Sequence, residues 1–352
     1  MSRVAAPSLA LAAALIARGT PDVIRDVRAR RRRRAADALI SMIAQRPRPV
    51  ARQIATPITD GAVARLTDGD VALIEERLEG DPAILYEMSD AATRKRLLLN
   101  FAAAYHVGPV LERTGVIAAM PPEDVHSMAR GAVVAGGDFH IADLVFDALA
   151  HAGKSVQEGA TVLDFGASSG RVLRAVAAGR PDLDCVGCDP NPEAMQWAQE
   201  HLQGQRYFVS PLRPPLDLAD GSVQMAYAIS IWSHFAERPA IEWLAEMHRI
   251  IEPGGALVLT THGFDCLTTL LGRNQVTRHT AAEAARAMLQ GRHHFVDVFG
   301  EAGDWGVKDT GWGNAYLTLE WLVARTAEQW SLLLDWPGAL DQAQDVIVLE
   351  RR

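Results

Sequence analysis

The chain has 352 residues, of which 49% are hydrophobic and 22% charged, a balance that supplies a sizeable core and excludes disorder over most of the length. Its formal charge of −8 opposes non-specific attraction to phosphate backbones, so nucleic acid is not an expected partner. Three cysteines, Cys185, Cys188 and Cys266, are too few for a disulfide framework and fit a reducing, cytoplasmic setting.

In chain order, the apolar run APSLALAAALIA at 6–17 has only Arg3 ahead of it and falls short of the ~18–20 residues of a spanning helix. It reads as an alanine-rich docking helix, with no membrane span expected. The basic run Arg28–Arg34 reads as a solvated stretch between helical segments. Alanine, leucine and arginine then recur at three- and four-residue spacing, with breaks at Pro21, Pro47, Pro57, Gly80 and Pro121. Residues 1–137 are therefore expected to be an all-α N-terminal region, a surface for a homodimer or a cap over an acceptor site.

The segment FHIADLVFDALAHAG at 139–153 predicts an amphipathic helix with Ile141, Leu144, Val145 and Ala148 on one face, closed by Gly153. After residue 160 short apolar runs alternate with helical stretches, the pattern of a parallel, doubly wound α/β sheet. The predicted strands are ATVLDFG, DLDCVGCDP, RYFVS, VQMAYAIS and, after the turn Glu252–Gly255, ALVLTTHG. The tail offers the helix TLEWLVART, the strand QWSLLLDW, a turn at Pro337-Gly338 and a last strand DVIVLERR, so the sheet should end in an antiparallel hairpin. Residues 264–314 show no regular pattern and read as an insertion or lid within a second domain spanning 138–352.

In an open α/β sheet, ligands sit at the C-terminal ends of the strands, where strand order reverses. At the end of the first strand Asp164, Gly166 and Gly170 form D-x-G-x-x-x-G, a loop whose glycines let backbone approach a ligand and whose carboxylate suits a cation. A dinucleotide site needs a glycine where Ser168 stands, which disfavours a pyrophosphate ligand. Asp189 ends the second strand, where a carboxylate accepts hydrogen bonds from vicinal ribose hydroxyls. Cys185 and Cys188 lie three apart inside a strand, point to opposite faces and read as core thiols.

The segments VLDFGASSGRVLR, AISIWSHF, WLAEMHRIIEPGG, LVLTTHG and QDVIVLER resemble, in order and over residues 138–352, bacterial class I S-adenosylmethionine (SAM)-dependent methyltransferases with a helical N-terminal extension. The resemblance implies a Rossmann-like seven-stranded sheet with an antiparallel C-terminal hairpin, and SAM as cofactor. It implies that Asp164 orients the methionine end and that Phe165, Gly166, Ala167, Ser168 and Gly170 form the loop beneath it. It places Asp189 and Pro190 at the ribose, with Leu212 and Ser230 completing the site. One departure is Ser210, where many relatives carry an acidic residue near the adenine.

Methyl transfer needs in-line approach of the nucleophile and, for a hydroxyl, removal of its proton. His234 and His262, following the fourth strand and ending the fifth, are the candidate bases. The fourth strand ends in Ser230-Ile231-Trp232-Ser233, unlike the N/D-P-P-Y of enzymes that methylate amide or base nitrogens. No metal site is expected, and the adjacent pair His293-His294 reads as surface. Trp305, Trp312, Trp321, Trp330 and Trp336 read as local core or as a rim for a planar acceptor. The expected acceptor is a small hydroxylated metabolite or glycan, methylated on oxygen. The competing readings are a SAM-fold binding protein without catalysis, small-molecule N-methylation, aminopropyl transfer and a dinucleotide oxidoreductase.

Overall fold

The alternating runs after residue 160 assemble into one seven-stranded sheet, seen in a computed structural model that describes residues 25, 29–31, 33–46, 49–122, 125, 131–304 and 308–352. The strands are β1 (Thr161–Phe165), β2 (Asp184–Asp189), β3 (Arg206–Val209), β4 (Val223–Ala228), β5 (Ile251–Thr261), β8 (Trp330–Leu340) and β9 (Gln344–Arg351), while β6 (His294–Val296) and β7 (Asn314–Tyr316) pair separately. The order is β3-β2-β1-β4-β5-β9-β8, parallel through β5 and antiparallel at β5–β9 and β9–β8. This is the seven-stranded sheet with an antiparallel C-terminal hairpin expected from the sequence. Chain order reverses between β1 and β4, so a crevice opens above their C-terminal ends.

Side chains alternate along each strand and build two cores. Val162, Cys185, Met225, Tyr227 and Val258 pack under the helices Phe139–His151 and Leu173–Gly179. Leu163, Phe165, Cys188, Ala226 and Leu257 pack under Glu237–Ile250 and Leu319–Thr326. Cys185 and Cys188 are buried free thiols on opposite faces, as their spacing predicts.

The N-terminal helices Pro57–Val63, Asp68–Glu75, Asp81–Met88, Ala91–Ala104 and Gly108–Thr114 are fastened to this core. Buried Asp143 accepts from the backbone N–H groups of Ile58 (3.0 Å) and Thr59 (2.9 Å) and pairs with Arg96 at 2.8 Å, so a carboxylate from another helix satisfies the open N-terminus of Pro57–Val63. That helix crosses Leu173–Gly179 at backbone contact: a Cβ at Gly179 would lie 2.3 Å from the Ile58 carbonyl oxygen, and one at Gly61 2.3 Å from that of Gly179. Gly179→Ala is expected to lower stability by about 1–3 kcal/mol through overpacking, read from the urea midpoint. An unchanged midpoint would mean that the crossing relaxes freely.

Three sequence expectations change. Residues 264–314 contain the helices Cys266–Gly272 and Arg278–Met288. The buried face of the second is Ala281, Ala282, Ala284, Ala285, Ala287 and Met288, packed near Ile40 and Ile43; alanine gives too little hydropathy contrast to show a period. Pro337-Gly338 is a bulge inside β8, and the reversal falls at Asp341 and Gln342, with φ of 53° and 59°. Glu252–Gly255, expected as a turn, lies within β5 as an irregularity opposite β4.

The run 6–17, Arg28, Arg32 and Trp305 lie outside the described residues; Arg30, Arg31, Arg33 and Arg34 are exposed. Among the described residues no helix is long and apolar enough to cross a membrane.

Candidate active site

A cleft of about 330 Å³ opens at the C-terminal ends of β1, β2 and β4, within the ~300–1,000 Å³ of small-molecule sites. Its first wall is the loop after β1. The N–H groups of Gly166 and Ala167 both donate to the Cys188 carbonyl at 2.9 Å, which pins the loop across β2. The loop turns through left-handed residues Gly166 (φ 87°), Ser168 (52°) and Gly170 (76°). A Cβ on Gly166 would strike the Ile231 side chain at 2.2 Å, at the cleft wall. One on Gly170 would strike Leu202 (2.4 Å) and Tyr207 (2.5 Å), so Gly170 serves packing under the loop, not ligand approach.

Asp189 faces the cleft from the end of β2. Its Oδ2 accepts from Ser168 N–H at 2.8 Å and its Oδ1 from Asn191 N–H at 2.9 Å. Burial raises its pKa, while these two hydrogen bonds oppose the rise. Asp164 lies behind the loop, 3% exposed, with Oδ2 lacking a hydrogen-bond partner among the described residues. The Tyr227 hydroxyl neighbours it without completing a hydrogen bond of good geometry. Burial pushes the Asp164 carboxyl up to about 7, against the pull of Tyr227 and Arg171. Arg171, which lines the cleft, is ion-paired with Asp138 at the head of helix Phe139–His151.

The second wall follows β4. Ser230 is left-handed (φ 60°) and is fixed by a closed set of hydrogen bonds. Its N–H donates to Thr260 Oγ1 (2.8 Å), Thr260 donates to Gln344 Oε1 (2.6 Å), and Gln344 Nε2 donates to Ser230 Oγ (2.9 Å). A strained residue held at a cleft by two neighbours that also bond each other is a preorganised feature.

Next comes His234. A carbonyl only accepts, so the 2.6 Å contact of Nδ1 with Gly313 O places the proton on Nδ1 and leaves Nε2 as the basic nitrogen. Burial lowers its pKa and keeps the ring neutral. Trp312 stacks on it at 4.8 Å, and Phe235 and Trp312 form a β-bridge that joins the segment 309–313 to the loop after β4. His262 is different. It is 8% exposed, its Nδ1 meets Ala315 O at 3.1 Å, it stacks on Tyr316 at 5.5 Å, and burial drives its pKa to about 4. It lies 6.4 Å from His234, ring to ring, behind the cleft rather than in it.

Residues 162–255, from β1 into β5, match the family profile described as a methyltransferase domain. That stretch holds the glycine loop, Asp189 and the His234 segment of the cleft. The chain is 31% identical over 142 residues to an uncharacterized 37.1 kDa protein in transposon TN4556 of Streptomyces fradiae, a match covering 38% of this chain. The chain thus spans about 40% of the length of that curated relative. Among solved structures it is similar to a SAM-dependent methyltransferase from Methanosarcina mazei (17% identity, 56% of this chain and 94% of the other, TM-score 0.41). A SAM-dependent methyltransferase from Aquifex aeolicus is another (13% identity, 56% and 85%, TM-score 0.36).

Of the residues expected from the sequence, the cleft brings together Phe165, Gly166, Ser168, Asp189, Pro190, Leu212, Ser230 and His234. Asp164, Ala167, Gly170 and His262 stand behind its walls. Ser210, the departure near the adenine, lines it, as do residues that sequence reasoning missed: Arg171, Asn191, Arg213, Asp304 and Asp309. Asp304 and Asp309 come from the stretch without a period, where no pattern distinguishes a wall from a solvated loop. Among the described residues, Trp312 is the flagged tryptophan that lines the cleft; Trp321, Trp330 and Trp336 are core. His293 is not a surface residue. Its Nε2 meets Phe235 O at 3.1 Å, its ring packs on Trp321, and burial lowers its pKa to about 4.

Proposed function

We propose that the protein is a SAM-dependent methyltransferase that methylates a hydroxyl of a small molecule or glycan, with His234 as the proton acceptor. One observation carries this reading: a glycine loop with two carboxylates, Asp164 behind it and Asp189 at its edge, shares a cleft with a neutral histidine whose Nε2 is uncommitted.

The residues fit the cofactor. Asp189 offers its remaining lone pairs to a ribose diol, and the orphaned Oδ2 of Asp164 and Oγ of Ser168 leave polar capacity for an amino-acid end. Arg171 adds a cation for its carboxylate. When bound, SAM supplies the methyl group and its own leaving group. The chain then has to orient the acceptor hydroxyl and take its proton at Nε2 of His234. The Gly313 carbonyl holds the ring and steadies the imidazolium that forms.

Calorimetric titration with SAM, S-adenosylhomocysteine and NAD tests the class. Binding of the two adenosyl ligands without NAD is expected, and NAD binding alone would sink the reading. Asp189→Ala should weaken SAM binding by about 1–3 kcal/mol, the cost of losing charge-assisted bonds to hydroxyls and the tie to Ser168. Undiminished affinity would remove Asp189 from the cofactor site.

A further inference from the structure

Charge in the cleft is not balanced. Besides His234, its ionisable side chains are Arg171, Arg213, Asp189, Asp304 and Asp309. Arg213 is paired with Asp309 at 2.9 Å and Arg171 with Asp138. Asp189 is committed to two backbone N–H groups at the cofactor end. Asp304 has no cationic partner among the described residues. Its side chain accepts a hydrogen bond from Trp312 Nε1 at Oδ2, at 3.1 Å.

That bond is itself held in place. The Trp312 indole stacks on His234 at 4.8 Å and meets Phe235 edge-on at 5.4 Å, so carboxylate, indole and imidazole form one preorganised group. Asp304 lines the same cleft as Asp189 and His234, and Trp312 ties it to the His234 side. SAM brings a net charge of +1: sulfonium and ammonium against one carboxylate. Set against Asp189 and Asp304, before any ionisation of Asp164, it leaves the cleft at least one positive charge short. An anionic acceptor would worsen the imbalance and a neutral one would leave it. An ammonium group cures it, and a carboxylate beside an indole is the pairing that recognises ammonium, through a charge-assisted hydrogen bond and the negative face of the ring.

Resting on the methyl-transfer reading above, we infer that the acceptor is a hydroxylated amine, whose ammonium group pairs with Asp304 beside Trp312 while its hydroxyl reaches His234 Nε2. The class spans aminophenols, amino alcohols and amino sugars. Asp304 is then a specificity-determining residue contributed by the segment after β6.

The test uses the full chain saturated with S-adenosylhomocysteine and three probes of one shape and different charge: tyramine, 4-ethylphenol and 3-(4-hydroxyphenyl)propionate. Calorimetry is expected to show tyramine binding about tenfold or more tighter than 4-ethylphenol, with the propionate weakest. Asp304→Asn, which keeps an acceptor for Trp312, should bring the first two within about threefold while leaving S-adenosylhomocysteine affinity unchanged, which also reports an intact fold. Equal affinity for the three probes, no tyramine binding, or a cation preference that survives Asp304→Asn would each overturn the inference with the cofactor reading still standing. Failure of the wild-type protein to bind S-adenosylhomocysteine would overturn both.

Discussion

Asp164→Asn is expected to make the ligand-free protein more stable and the SAM complex weaker. The Asp164 carboxyl is raised by burial from the ordinary carboxylate value of 3.8 to about 7. A carboxyl whose pKa is higher in the folded state binds its proton more tightly there. Its favourable contribution is complete below the unfolded pKa and is lost as pH rises through the folded one. At pH 8 the buried anion therefore costs stability, by an upper figure of about 4 kcal/mol from the size of the shift. Asparagine removes that cost, so the variant should gain roughly 1–4 kcal/mol at pH 8 and nothing at pH 4, where the wild-type carboxyl is already neutral.

Binding a cationic cofactor favours the ionised form, so wild-type SAM affinity should climb as pH rises through 7, and the variant should bind at least about tenfold more weakly at pH 8. Chemical denaturation at the two pH values and calorimetry at pH 8 check the pair. A variant that is no more stable would show that the Asp164 anion is well solvated in the free protein. One that binds SAM normally would confine Asp164 to a structural role. Gain of stability with loss of binding is the signature of a group held at a cost for function.

The second large effect separates the two histidines. Asparagine at either position keeps a side-chain N–H near Nδ1, so the bonds to Gly313 and Ala315 can survive while Nε2 is lost. His234→Asn should lower kcat by about 10²–10⁴ with SAM affinity intact, the range for removing a general base. His262→Asn should leave most of the rate and cost stability of order 1 kcal/mol, because that ring fills buried space against Tyr316.

The pH profile carries the same distinction. Burial lowers the His234 pKa, and a base works in its neutral form, so the acid limb of kcat/KM should fall below the ordinary histidine value of ~6.5. A rate lost in His262→Asn and kept in His234→Asn would reverse the assignment.

How much of this was legible in the chain follows from what each kind of pattern encodes. The strands β1 to β5 and their helices announced themselves because burial on two faces demands apolar runs of strand length, and VLDFGASSGR and Asp189 marked the cofactor end because left-handed turns and strand-end carboxylates leave residue-type signatures. The free, buried state of Cys185 and Cys188 followed from strand alternation alone. The helix Arg278–Met288 was hidden by its alanine face, and the hairpin reversal was misplaced because Pro337-Gly338 is as good a turn signal as Asp341-Gln342 until register with β9 decides between them.

By itself, then, the sequence determined the sheet, its hairpin and the glycine loop, since those depend on residues near one another along the chain. Only tertiary structure decided which of two histidines faces the cleft, that Gly170 serves packing, and that Asp304 and Trp312 share the cleft with Asp189. His234 and His262 have equivalent sequence positions at strand ends; what separates them is the return of residues 309–313 across the loop after β4, bridging Phe235 to Trp312 and walling the cleft above His234. Such contacts join segments some 70 to 80 residues apart, for example Gly313 to His234, and no local periodicity records them.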